Sequence, residues 1–289
     1  MELKQIGNKT YYIENPTNIG IYKVDDNNVY LIDSGNDKDA GKKILRIVEE
    51  QGWNIKGIIS THSNADHIGG NKVIQDRTNC PIYAHGIEKS FTEFPILETS
   101  FLYGGYPYKD LRNKFLLAKE SNVTEIDNNL PEGIEYFNLK GHFFDMIGIK
   151  TDDDIYFLAD SLFSETTITK YHIFFIYDVQ EYLNTLDYLS TLEGKLFVPS
   201  HCEATTNITN LISINRNIIN EIADKVYSFC NDKTFEDILK DVLDSYNLEL
   251  NSNQYVLCGS TIRSFLSYLY NQEKIEYYFL DNKMYWKKK

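Results

Sequence analysis

The chain has 289 residues, 42% of them hydrophobic and 14% aromatic, with a formal net charge of −13. At roughly 150 residues per domain this suits one large or two modest domains, and it excludes wholesale disorder. The acidity argues against a general binder of nucleic-acid backbones, which attract Lys and Arg.

Taken in chain order, Lys9–Ile13, Gly20–Val24 and Asn28–Ile32 are rich in Tyr, Ile and Val and are broken by Asn, Asp and Gly, which predicts strands and turns. Asp39–Gln51 places Ile44, Leu45 and Val48 on one helical face. Gly57–Ser60 is a compact apolar strand that runs into the polar segment Thr61–Gly70, THSNADHIGG. Residues 94–121 carry Gly104, Gly105 and three tyrosines between short apolar runs, and read as a lid-like insertion rather than a core element. Strands resume at Val123–Ile126, Ile134–Leu139, Met146–Lys150 and Ile155–Ala159. A helix follows over Val179–Leu192, then a short strand Leu196–Val198 that ends at Pro199-Ser200-His201.

After about residue 206 the pattern becomes helical. Ile208–Phe229 and Thr261–Tyr270 read as helices, and between them Thr234, with Asp237 three residues on, caps another. Lys274–Leu280 and Lys283–Trp286 flank Asp281-Asn282 as a hairpin. Three helices and a hairpin resemble a winged-helix unit, so we divide the chain into 1–206 and 207–289. The four cysteines, Cys80, Cys202, Cys230 and Cys258, form no CxxC pair. The polar start MELKQIGNKTYYIEN has no signal-like apolar stretch, and no run of about 18 apolar residues occurs. The expectation is a protein of the reducing cytoplasm with no membrane partner.

His62-Ser63-Asn64-Ala65-Asp66-His67 puts two imidazoles and a carboxylate directly after a strand. His142 follows Gly141, Asp160 ends the apolar run IYFLA, and His201 ends LFVPS. Imidazole and carboxylate are good ligands for zinc and for harder divalent ions. Residues of these types, each just past an apolar run, predict a metal site on the rim of a sheet.

In this order the segments HSNADH, GH, AD and SH resemble the metallo-β-lactamase superfamily, whose usual pattern is HxHxDH, GH, a bridging Asp and a last His. Asp33-Ser34-Gly35 is similar to its DTG turn and Gly69-Gly70-Asn71 to its GGN. The resemblance covers about residues 10–205. It implies an α/β fold, an αββα sandwich with the metal site at one edge of its two sheets. It also implies metal site one on His62 and His142, site two on Asp66, His67 and His201, and Asp160 bridging both. One or two zinc ions follow as cofactor, with metal-bound hydroxide as nucleophile and Asp66 as a catalytic residue as well as a ligand. The implied substrate is a small ester, thioester (as in glyoxalase II relatives) or related molecule, with RNA phosphodiester cleavage as the alternative. β-Lactam hydrolysis fits less well, because no export signal is visible.

Asn64 stands where the superfamily has its second histidine. Three readings stay open: site two holds metal better than site one, Asn64 ligates through its oxygen and favours iron or manganese, or the site has decayed into a weakly active or non-catalytic metal binder. Tyr103 and Tyr106 in the insertion, and Lys170, Tyr171 and His172 after Asp160, are candidate substrate contacts. His85 reads as structural and Cys202 as a buried thiol beside a ligand. From Asn207 to Lys289 ten Lys and Arg stand against eleven Asp and Glu, so about −12 of the charge lies on residues 1–206. The helix Thr261–Tyr270 has one basic residue, Arg263, fewer than a DNA-reading helix usually carries. Packing or homodimer formation is the expected role of this unit. Some superfamily members that cut RNA carry a similar tail, which leaves RNA open as a partner.

Overall fold

The computed structural model describes residues 1–289. The N-terminal half builds a seven-stranded sheet in chain order: β1 (Glu2–Gln5), β2 (Thr10–Glu14), β3 (Ile19–Lys23), β4 (Asn28–Ile32), β5 (Asn54–Ile59), β6 (Ile82–Ala84) and β7 (Val123–Glu125). β1 to β4 form an antiparallel meander, and β4 to β7 run parallel. Parallel neighbours need crossovers. These are α1 (Lys38–Glu50), then α2 (Ala65–Ile68) and α3 (Asn71–Thr78), then α4 (Ile87–Glu93) and α5 (Ile96–Tyr103). A second sheet has β8 (Ile134–Asn138), β9 (Ile147–Thr151), β10 (Ile155–Phe163) and β11 (Leu196–His201), in the order β11-β10-β9-β8.

Strand alternation explains the layers. Ile21, Leu31 and Ile58 point to a core shared with Ile44 and Val48 of α1 and Ile74 of α3. Their chain neighbours Tyr22, Ile32 and Ile59 point the other way, into a core shared with Ile149, Ile155 and Phe157 of the second sheet. On the far side of that sheet, Tyr156 and Leu158 meet Tyr182 and Leu186 of α7 (Val179–Leu189), which follows α6 (Glu165–Tyr171). The result is the expected helix–sheet–sheet–helix sandwich of the α/β class.

Beyond residue 206 come α8 (Thr209–Phe229), α9 (Phe235–Ser245) and α10 (Ser252–Asn271). A small sheet accompanies them, in the order β12 (Asn231–Lys233), β14 (Lys283–Lys288), β13 (Ile275–Leu280). Ile219 and Ile222 of α8, Leu239 of α9 and Phe265 of α10 join one continuous core with Leu158 and Tyr182. Thr234 and Asp237 form the reciprocal cap of α9, and Asp281 and Asn282 both have positive φ, as a tight two-residue hairpin turn requires. No helix is long and apolar enough to cross a membrane.

Three expectations are corrected. α10 begins at Ser252, not Thr261, because Asn251 and Gln254 cap it reciprocally within a stretch too polar to read as helix. β11 continues through Pro199 to His201, which an edge strand tolerates because one side needs no N–H. The insertion is also part of the core: Leu102, Leu111 and Leu116 are buried against Val256 of α10.

Candidate metal centre

Strand β5 delivers Thr61 and His62 to the end of the first sheet. His62 is fully buried, with Nδ1 3.1 Å from Thr61 Oγ1 and Nε2 without a protein partner. His67 on α2 has Nδ1 2.8 Å from Asp33 Oδ2. Its Nε2 lies 3.1 Å from Asp160 Oδ1, at an angle that makes no hydrogen bond. His201 has Nδ1 2.8 Å from the Pro16 carbonyl, and Nε2 3.1 Å from Asp160 Oδ2 and 3.4 Å from Asp66 Oδ2. His142 Nε2 is 2.9 Å from Asn64 Oδ1 and 3.6 Å from Asp160 Oδ2. Ligand atoms of His62, His67 and Asp160 lie within 4.8 Å of one another, as do those of Asp66, His67 and His201. Either group could hold a metal ion. Two imidazole nitrogens and a carboxylate oxygen, buried, convergent and without hydrogen bonds, fit a cation better than they fit one another.

The backbone aims these groups. Asp160 does not end its strand, as the sequence suggested, because β10 continues to Phe163. Its register against β11 shifts between Phe157 and Ala159 and again before Phe163, and Ala159 has φ +47°. A bulge of this kind redirects a side chain, and no local sequence feature marks it. Gly141, before His142, has φ +116°, and a Cβ there would meet the Tyr182 nitrogen at 2.2 Å. Gly141→Ala is therefore expected to cost about 3 kcal/mol of stability, read by thermal unfolding, and to lower metal content with it. Asp33 accepts from the Thr61 amide, Thr61 Oγ1 and His67, each at 2.8 Å. It fixes the His67 tautomer so that Nε2 faces Asp160. Asp33→Asn should keep the fold yet weaken metal binding about tenfold to a hundredfold, measured by chelator competition.

Burial lowers His62 and His142, so both favour the neutral, ligating form. Burial opposes a proton on His67 and His201 too, but Asp160 and Asp66 outweigh it and hold both well above the ordinary range. Burial likewise raises Asp66 and Asp160, yet the imidazoles hold both far below the usual carboxylate range. Two ionised carboxylates in a buried ring of imidazoles make a receptor for positive charge.

A family model described as "Metallo-beta-lactamase superfamily" matches residues 12–201. The chain belongs to that superfamily. Among solved structures, a beta-lactamase domain protein from Burkholderia ambifaria matches with TM-score 0.72 at 14% identity, over 100% of this chain and 94% of that one. A metallo-beta-lactamase family protein from Thermus thermophilus matches with TM-score 0.72 at 13% identity, over 97% and 99%. Among curated proteins, a hydroxyacylglutathione hydrolase from Rhodopseudomonas palustris is 31% identical over 48% of this chain and 49% of its own length. One from Prochlorococcus marinus is 24% identical over 49% and 48%. The chain spans about half the length of the curated relatives it matches.

Within this superfamily fold, His62, Asn64, Asp66, His67, His142, Asp160 and His201 all meet in one cluster. The suggested substrate contacts do not join it by any hydrogen bond or ring contact. Tyr103 stacks edge-on against Tyr108 and lines a groove of about 840 Å³ with Tyr177 and Arg263. Tyr106 is 74% exposed and accepts from Arg112 Nη1 at 2.9 Å. Lys170 lies over the Tyr171 ring, and His172 stacks on Tyr246 at 4.8 Å. The same segment reaches the cluster through Phe175, 5.6 Å from the His142 ring, and Phe174, which packs on Phe163. His85 lies outside the cluster, beside Glu125 and Tyr136. Burial and the nearby Asp160 push the Cys202 thiol up to about 12, which keeps it an inert neighbour of His201.

Two buried carboxyls were not singled out in the sequence. Glu88 accepts from the Ser63 amide, Ser63 Oγ and the Asp145 amide, while burial pushes it up to about 7. Glu98 of α5 accepts from Asn64 Nδ2 at 2.6 Å, and burial raises it well above the usual range. A lone acid in the apolar run ILETSFL was the available signal for Glu98.

Proposed function

We propose that this chain is a metal-dependent hydrolase acting on a small thioester or related ester. The observation that carries the reading is the meeting of ligand atoms from two adjoining sites, His62 Nε2 of one, His67 Nε2 of the other and Asp160 Oδ1 between them, buried and without hydrogen bonds. His62, Asn64, His142 and Asp160 would hold one ion, and Asp66, His67, His201 and Asp160 a second. Zinc suits the imidazoles, and iron or manganese would gain from the oxygen donors Asn64, Asp66 and Asp160. A bound divalent ion supplies Lewis acidity and lowers the pKa of a coordinated water.

The chain's own residues do the rest. The Asp66 side chain is 37% exposed, against 6% for Asp160, so it is the ligand carboxylate open to substrate. Thr17 Oγ1 donates to Asp66 Oδ2 at 3.0 Å and fixes its plane. Asp66 would thereby orient the attacking water. Phe143, Phe163 and Phe175 wall the histidines and keep bulk water from them. The partly matching hydroxyacylglutathione hydrolases favour a thioester. Four free cysteines, three of them buried, suit a reducing cytoplasm. We read residues 207–289 as a winged-helix-like packing unit. Arg263 is the single basic residue of α10 and lies 3.7 Å over the Phe235 ring, which leaves that helix little to offer a phosphate backbone.

The test is turnover of a panel of acyl-glutathione thioesters, simple esters, a β-lactam and a single-stranded RNA. Thioester cleavage that stops on chelation and returns with zinc is expected. Cleavage of RNA alone, or chelator-insensitive turnover, would overturn the reading.

A further inference from the structure

Asn64 occupies the N-cap position of α2, with extended φ −60° and ψ 143°, yet makes no side-chain cap hydrogen bond. An asparagine there normally turns its oxygen back onto the first helical amides. Here the amide turns outward, between α5 and the cluster. Nδ2 donates to Glu98 Oε1 at 2.6 Å, and Oδ1 faces His142 Nε2 at 2.9 Å. The opposite orientation would press Oδ1 against a Glu98 oxygen, which sets acceptor against acceptor whenever that carboxyl is ionised. Glu98 is 5% exposed, and Thr99 beside it is pinned by Oγ1 donating to the Leu116 carbonyl at 2.9 Å. On the other flank, Glu88 holds Ser63 by both its amide and its hydroxyl. The loop is thus clamped at Ser63 and at Asn64 by two buried acids from the helices that follow β6.

We propose that Glu98 is a positioning residue which, by accepting from Nδ2, commits Asn64 Oδ1 as a neutral oxygen donor to metal site one. The insertion then acts on the centre through this one buried carboxyl, and it sets how strongly site one holds its ion. This rests on the metal-centre reading above.

The experiment titrates metal-free protein with cobalt(II), following the visible absorption and competing with a chelator. Wild type, Glu98→Gln, Glu98→Leu, Asn64→Ala and the Asn64→Ala/Glu98→Leu double variant are compared. Glu98→Leu should weaken the second, weaker equivalent about tenfold and reduce its absorption band, with the tight equivalent unchanged. Glu98→Gln, whose Oε1 can still accept, should restore wild-type behaviour. On the Asn64→Ala background Glu98→Leu should have no further effect. A folded Glu98→Leu that titrates like wild type, or one that loses as much on the Asn64→Ala background, overturns the proposal. If Glu98→Leu does not fold, a crystal structure of metal-loaded wild type decides. Asn64 Oδ1 on the metal with Nδ2 on Glu98 supports the proposal, and an Asn64 swung off the metal overturns it. Wild type that binds no cobalt at all overturns the metal centre itself, and this inference with it.

Discussion

Asp160→Asn should strip the centre of metal and lower kcat/KM by roughly a thousandfold, about 4 kcal/mol of transition-state stabilisation. Asp160 is the one residue that approaches three of the four histidines, with carboxylate oxygens 3.1 Å from His67, 3.6 Å from His142 and 3.1 Å from His201. The amide keeps its shape and removes its charge, so the bulge in β10 survives while both sites lose their shared anionic ligand. Elemental analysis and thioester kinetics on the same preparation check this, with far-UV circular dichroism to confirm the fold. Asp127→Asn is the matched control. It removes a carboxylate from the partly exposed group His85, Glu125 and Asp127, and should change neither metal content nor rate. An Asp160→Asn protein that keeps its metal and its activity would show that the cluster is not the catalytic centre.

Asn64→His should tighten the weaker metal equivalent at least about tenfold, or 1.4 kcal/mol. An imidazole is the better zinc donor. Glu98 stands ready to accept its second N–H, as Asp33 does for His67. At limiting zinc the variant should also turn over substrate faster, because more of it carries both ions. Calorimetric titration with zinc is the check. An unchanged second affinity would mean that position 64 contributes nothing to metal binding.

Much of this was legible in the sequence because it is local. β4 was read at its observed bounds, since its alternation faces two cores at once and turn residues mark both ends. His62, Asp66 and His67 fall within one six-residue segment just after a strand, so their proximity needs no long-range contact. His142, Asp160 and His201 were marked by their places just past apolar runs, and the family pattern tied them to the same centre. What stayed hidden depends on tertiary contact. Glu98 finds Asn64 only because α5 folds back over the loop, and a helical sequence does not say which side chain it meets. Tyr103 and Tyr106 attracted notice as aromatic residues beside glycines, yet they are among the exposed members of the insertion, while its leucines bury against α10. His172 turns at φ +53° after α6 and reaches Tyr246, leaving the phenylalanines behind it to approach the histidines.

An asymmetric metal centre is the central claim: a complete site on Asp66, His67, His201 and Asp160, and a weaker one on His62, Asn64, His142 and Asp160. Elemental analysis of protein purified without added metal, followed by equilibrium titration with zinc, tests it most directly. The prediction is about one tightly held equivalent and a second bound at least tenfold more weakly. Two equally tight equivalents, or none, would contradict it.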